Sequence, residues 1–205
     1  MGRSTKGAEA DLLAMITNTT VAFVITNPRL PDNPIVMCND AFVELTGYDR
    51  GEIIGRNCNF LTGKDTEAEQ TDMIRTAIKN REAVLVQLTN YKRDGLPFQN
   101  ALMIAPSFDD TGQLAYFFGS QMEVAGVSPQ TYSSRQLKAK ELINSLSPQQ
   151  KRVITQIAQG YMNKQIAHTL DISESTVKMH RAEALAKMNI STTAEAIRVA
   201  VEAGL

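Results

Sequence analysis

Apolar residues come in short, tightly bounded groups up to about residue 124 and at helical spacing after it. Val21-Ala22-Phe23-Val24-Ile25 is an unbroken apolar run, and with Thr26 it predicts a strand. Asn27-Pro28 and the Pro31-Asp32-Asn33-Pro34 turn end it, and Ile35-Val36-Met37-Cys38 predicts a second. Ala41 to Leu45 has helical spacing and stops at Gly47, while Asp49 with Glu52 is a capping box for a further helical turn. Thr66 with Glu69 predicts the cap of a helix to about Lys79, with Met73, Ala77 and Ile78 on its inner face. Three strands follow: Ala83 to Tyr91, Pro97 to Ser107 and Leu114 to Val124, separated by the turns Arg93-Asp94-Gly95 and Asp109-Asp110-Thr111-Gly112. A short amphipathic helix over 9–17, with Leu12, Leu13 and Ile16 on one side, precedes them all. This order predicts an α+β unit: a five-stranded antiparallel sheet with helices on one face.

Beyond the last strand, Gly126-Val127-Ser128-Pro129 predicts a break. Arg135 to Leu146 then has a helical stripe of Leu137, Leu142 and Ile143, which either packs on a surface or serves as a spacer. Ser147-Pro148-Gln149-Gln150 joins an N-cap, a first-turn proline and a closing glutamine, and that helix runs to Gly160. Asn163 to Leu170 is a second helix and Asp171-Ile172 a tight turn. Ser173 caps a third helix to about Met188, and Thr192 with Glu195 caps a fourth that ends before Gly204. Two helices joined by a tight turn inside a four-helix unit fit a helix-turn-helix. The expected division is an extension over 1–20, a sensor unit over 21–125, a linker helix over 126–146 and an all-α four-helix module over 147–205.

Composition is that of an ordinary globular chain, 43% hydrophobic and 21% charged over 205 residues, which at roughly 100–200 residues per domain allows two small domains. Charge is distributed unevenly. Residues 1–126 carry 11 basic and 16 acidic side chains, and residues 127–205 carry 10 and 6, together the net −1 of the chain. A nucleic-acid contact therefore belongs to the second part. Two cysteines, Cys38 and Cys58, are too few for a disulfide framework or a zinc site, which points to a reducing compartment. No apolar run approaches the ~20 residues of a membrane-spanning helix and no signal-peptide core opens the sequence, so the expectation is a cytoplasmic protein without a membrane partner.

The stretch Leu146-Ser147-Pro148, Asn163-Lys164-Gln165-Ile166-Ala167 and Ile172-Ser173-Glu174-Ser175-Thr176-Val177-Lys178-Met179-His180 resembles the LuxR-type helix-turn-helix family. The resemblance implies that the third helix enters the major groove of double-stranded DNA and that the fourth serves dimerisation. A major groove admits a helix whose N-terminal half reaches base edges. Lys178 and Met179 are thus candidates for base contact, and Lys164, Ser175, Thr176 and Arg181 for phosphate or groove-edge contact. Any one of these lysines by itself would be read as a solvated helix face. Ala182 stands where the family often has a second basic residue. His168 and His180 lie on helices of this module without a metal partner in the sequence.

Gly55-Arg56-Asn57-Cys58-Asn59-Phe60-Leu61, with Asn90-Tyr91, Phe98-Gln99-Asn100 and Gly119-Ser120-Gln121 on three later strands, resembles the light-oxygen-voltage (LOV) branch of the PAS fold. The resemblance implies an FMN chromophore, with riboflavin and FAD as alternatives. It also implies a blue-light-driven, thermally reversible bond between the Cys58 sulfur and flavin C4a. Amides both donate and accept, which suits the pyrimidine edge of an isoalloxazine ring. Strand alternation turns Asn90 to the same side as Leu88, Asn100 to that of Leu102 and Ile104, and Gln121 to that of Gly119 and Phe117. Val24 and Ile78 complete the apolar walls, and by resemblance Thr26, Asn33, Asn57, Leu61, Thr62 and Arg75 the rest of the lining. Cys58 by itself would more often be a small buried hydrophobe, which is how Cys38 is read. Asn59 and Thr62 stand where the family commonly has Arg and Gln near the flavin tail, so a weakened phosphate clamp and tolerance of riboflavin beside FMN are expected.

Together these readings predict a light-regulated transcription factor that is not an enzyme. The sensor sheet is expected to cover Ala196, Val199 and Ala200 of the fourth helix in a dark monomer. Light, relayed by Gln121, is expected to release the module to dimerise through that helix. The alternatives are a PAS-type ligand or redox sensor with a non-photochemical Cys58, and a flavin enzyme with a DNA anchor.

Overall fold

A computed structural model describes residues 14–17, 19–124 and 129–205, and of residues 129–132 the backbone alone. Residues 14–16 are helical and Ile16 is fully buried, whereas Leu12, Leu13 and the break at 126–128 lie outside the described residues. The sensor consists of β1 (Ala22–Thr26), β2 (Ile35–Cys38), α1 (Asp40–Thr46), α2 (Arg50–Ile53), a 3-10 turn (Cys58–Leu61), α3 (Ala68–Asn80), β3 (Val84–Tyr91), β4 (Pro97–Phe108) and β5 (Leu114–Gln121). The strands form one antiparallel sheet in the order β2-β1-β5-β4-β3. The remaining helices are α4 (Pro129–Ser145), α5 (Pro148–Ala158), α6 (Asn163–Leu170), α7 (Glu174–Met188) and α8 (Thr193–Ala203).

The register sorts the sheet residues into two sets. Val24, Gly119 and Ile104 lie opposite one another on one face. Phe23, Ser120 and Met103, and beside them Ile25, Phe118 and Ala105, lie on the other. Every residue of β1 is buried, because the sheet is covered on both faces. Sensor helices take the first face. The second carries Phe23, Ile25, Met103, Ala105 and Phe118, which belong to one apolar cluster with Ile143 of α4, Val153 and Ile157 of α5, Ala184 of α7 and Ile197 and Ala200 of α8. That cluster joins sensor and C-terminal module into one core, and the linker helix is part of it, with Ala139 and Ile143 buried.

Local chemistry explains most boundaries. The Asp49–Glu52 box caps α2, Ser147 with Gln150 caps α5, Ser173 caps α7, and Thr192 with Glu195 caps α8. Four expectations fail. The helix expected from Thr66 begins at Ala68, because the Thr66 hydroxyl donates to the carbonyl of Thr89 (2.6 Å) and accepts from the N–H of Gly63 (2.9 Å). Met73 is 45% exposed, since α3 turns Thr71, Ile74 and Ile78 inward instead. Leu137 is likewise exposed, and α4 starts at Pro129, ahead of Arg135.

Candidate functional site

Between the inner sheet face and helix α3 lies a cavity of about 300 Å³. Val24, Thr26, Asn33, Asn57, Cys58, Leu61, Thr62, Arg75, Ile78, Leu88, Asn90, Asn100, Leu102, Ile104, Phe117, Gly119 and Gln121 all line it. Asn59, already placed near the flavin tail by the resemblance, lines it too, as do Thr71 and Ile74, which were not singled out in the sequence. Thr71, Ile74 and Ile78 share the three- and four-residue spacing of a helix face with Arg75, a signal that the larger Met73 obscured.

Asn57 caps the 3-10 turn through its side-chain oxygen, which accepts from the N–H of Asn59 (3.0 Å), and its amide donates to the carbonyl of Asp32 (2.6 Å). Its polar atoms are thus spent on holding the turn, and the turn sets Cys58 on the cavity wall. The amide of Asn90 donates to the Leu61 carbonyl (3.2 Å), tying the far end of the same turn to β3. Asn100 donates to Asn90 Oδ1 (2.8 Å), while its own Oδ1 accepts from the N–H of Met122 (3.2 Å). Gln121 Nε2 lies 3.9 Å from Cys58 Sγ. Gly119 leaves room for these groups, since a Cβ there would come within 2.9 Å of Val24 Cγ2.

Burial pushes the Cys58 thiol up to about 12, with the Gln121 contact opposing it. The sulfur is therefore a protonated thiol at neutral pH, although it faces the cavity. Among the buried polar atoms without a partner are Thr26 Oγ1, Asn33 Oδ1 and Gln121 Oε1, all from residues of this wall. An unsatisfied buried acceptor costs roughly 1–3 kcal/mol, so three on one cavity fit a guest with several polar atoms. Apolar Val24, Leu88, Leu102, Ile104 and Phe117 supply walls for a flat ring. Arg75 is the charged residue of the lining, and it is paired with Asp72 (2.7 Å) at an exposed position.

A family model described as a PAS domain matches residues 20–124. The chain belongs to the PAS family. A second model, described as bacterial regulatory proteins of the luxR family, matches residues 144–200. The sensor is similar to "Blue-light-activated histidine kinase 1" of Erythrobacter litoralis, at 45% identity over 53% of this chain and 30% of that relative. It is similar to Phototropin-2 of Oryza sativa subsp. japonica, at 45% identity over 55% and 12%. The solved LOV domain of an Erythrobacter litoralis blue-light-activated histidine kinase superposes with a TM-score of 0.51 at 33% identity, covering 53% of this chain and all of that one. The PAS domain is accordingly of the LOV type and is followed by a LuxR-type helix-turn-helix. The chain spans less than a third of the two curated relatives' lengths.

In the LuxR-type region, Lys164 stands in the first turn of α6 and is exposed. Lys178 and Met179 point outward from α7, and Arg181 is half-buried. The hydroxyls of Ser175 and Thr176 gather on the cap residue, at 2.6 and 2.8 Å from Ser173 Oγ. Two hydrogen bonds seat the start of this region on a sheet hairpin. Phe108 N–H donates to the Gly160 carbonyl (2.9 Å) and Gln165 Nε2 to the Asp109 carbonyl (3.0 Å), joining the β4–β5 hairpin to the α5–α6 turn. On the outer sheet face α8 lies across β3, β4 and β5, with Arg198 buried beneath it. Ala196 and Ala200 are buried and Val199 is half-buried. Sequence reasoning missed Arg198.

Proposed function

We propose that this chain is a cytoplasmic, blue-light-regulated transcription factor with no enzymatic activity of its own. The observation that carries the reading is one cavity wall holding the Cys58 thiol, three unpartnered polar oxygens and a Cys58–Gln121 contact, on a sheet whose reverse face holds a LuxR-type helix-turn-helix. A bound flavin would supply blue-light absorption and an electrophilic ring carbon. Thr26, Asn33, Asn90, Asn100 and Gln121 would hold its polar edge, and Val24, Leu88, Leu102, Ile104 and Phe117 its ring faces. Cys58 Sγ would then bond reversibly to C4a, with its proton passing to N5. Gln121 faces that edge and turns its amide to match the new donor, altering hydrogen bonding at the end of β5. That biases a two-state docking equilibrium toward release. The freed module dimerises through α8 and presents Lys178 and Met179 to base edges and Lys164, Ser175, Thr176 and Arg181 to the backbone. In the dark the chain is a docked monomer.

Substituting Cys58→Ala should abolish the light-induced loss of the blue flavin band and light-enhanced binding to duplex DNA. A variant that still bleaches reversibly would sink the thiol assignment. A redox sensor is the weaker reading, because a thiol held near 12 is a poor nucleophile at neutral pH.

The flavin tail is held loosely on this reading. Asn59 and Thr62 are neutral, and Asp72 competes with a phosphate for Arg75. Flavin released by denaturing the purified protein should therefore contain riboflavin as well as FMN. FMN alone, tightly bound, would refute the tolerance.

A further inference from the structure

Arg198 is 4% exposed in the seam between α8 and the sheet, an unusual setting for a guanidinium. Its Nη1 donates to Ser120 Oγ at 2.6 Å, and both Nη atoms reach the Ala101 carbonyl at 3.3 Å. Its Nε lies 2.9 Å from the Glu202 carboxylate, which also takes Arg135 of α4 at 3.1 Å. One side chain thus binds two neighbouring strands, β5 through Ser120 and β4 through Ala101.

The positions of those two acceptors matter. Ser120 stands between Gly119 and Gln121, and Ala101 between Asn100 and Leu102; all four flanking residues line the cavity on the other side of the sheet. Strand alternation makes each acceptor the reverse side of a cavity amide. A second thread runs beside the first. Asn100 Oδ1 holds the N–H of Met122, the Met122 carbonyl holds the N–H of Ala101, and Arg135 Nη2 lies 3.3 Å from Met122 Sδ. A buried guanidinium is stable only while its acceptors stay in place, and losing one partner of such a group is strongly destabilising. A small displacement of β5 along β4 moves Ser120 Oγ relative to the Ala101 carbonyl and breaks the bridge.

We propose that Arg198 is the positioning residue that makes docking of the DNA-binding module depend on the amides of Asn100 and Gln121. The inference rests on the photoreceptor reading for its trigger, while the latch is a property of the docked state. A mere packing contact would hold the module equally in both states of the cavity. Arg198 instead holds it only while β4 and β5 keep their dark alignment.

The test uses the full chain with its flavin and two variants, Arg198→Met and Ser120→Ala, the second nearly isosteric. Amide hydrogen exchange across α8 in the dark should be at least tenfold faster in both variants than in the parent, with Arg198→Lys in between. Steady blue light should accelerate exchange across α8 at least tenfold in the parent and less than twofold in both variants, because a module no longer latched leaves the cavity little docking to bias. Parent-like dark exchange in both variants would overturn the latch. Faster dark exchange with a parent-like rise in light would reduce Arg198 to packing and overturn the coupling. A parent chain without any blue-light bleaching would sink the photoreceptor reading instead, and dark exchange would still judge the latch.

Discussion

Cys58 shows how far environment sets the chemistry of a residue. The folded chain keeps on this sulfur a proton that the unfolded chain releases near the ordinary value of 9.0, because burial raises it to about 12. The sign follows directly: its contribution to stability is complete below pH 9 and is lost as pH climbs toward 12. Across that interval the parent should lose ground against Cys58→Ala by roughly 1 kcal/mol per pH unit, measured by denaturant unfolding of the flavin-free proteins. Parallel pH profiles would show that the thiol is not held protonated. Cys38 is equally instructive. Buried where Cys58 is half-buried, it packs among Val24, Ile35 and Phe42 and accepts from Arg50 Nη1 at 3.2 Å, which matches its reading as core. The difference was legible because amides on three strands converge on one cysteine and not on the other. Arg198 gave no such signal. A lone arginine on an amphipathic helix looks solvated, and its acceptors at Ala101 and Ser120 lie 97 and 78 residues away along the chain.

Among the elements, the strands were the most readable. Alternation assigned the inward set of β3, β4 and β5, and the unbroken apolar run Val21–Ile25 matches a strand buried on both faces. Helix α3 was misjudged where hydrophobicity and orientation part: Met73 looks like core and is exposed, while Thr71 faces the cavity. Its start was missed because Glu67 accepts from the N–H and hydroxyl of Thr89 at 2.7 and 3.0 Å, a tertiary contact that local capping rules do not contain. The β4–β5 hairpin has a second role as a clamp on the output module. Its turn is stiffened at Asp109, whose carboxylate the Thr111 hydroxyl, and after it Arg29, hold well below the usual range. At the other side of the clamp Gly160 has φ +90°, and a Cβ there would lie 2.5 Å from the Pro106 carbonyl oxygen. Gly160→Ala should therefore cost about 1–3 kcal/mol in denaturant unfolding and open the clamp, leaving the flavin absorbance unchanged. An unaltered unfolding midpoint would show that the turn relaxes without strain.

At the scale of the molecule, sensor and output are two domains by sequence and one body by packing. A single apolar cluster runs from Phe23 and Phe118 in the sheet to Val177 and Met188 in α7, and Thr19 adds a hydrogen bond to Glu195 of α8 at 3.0 Å. Any release of the module would therefore have to uncover sheet surface as well as helix surface. The uncovered patch contains Phe23, Ile25, Met103, Ala105 and Phe118, too much contiguous apolar area for a small soluble unit to leave bare. A shortened chain ending after β5 should accordingly self-associate face to face through this patch, as sedimentation velocity at tens of micromolar would show. Replacing Phe118 and Met103 with glutamate should return that fragment to a monomer. The sheet would then carry its own adhesive, and any event that released the C-terminal module would hand that surface to another copy of the chain.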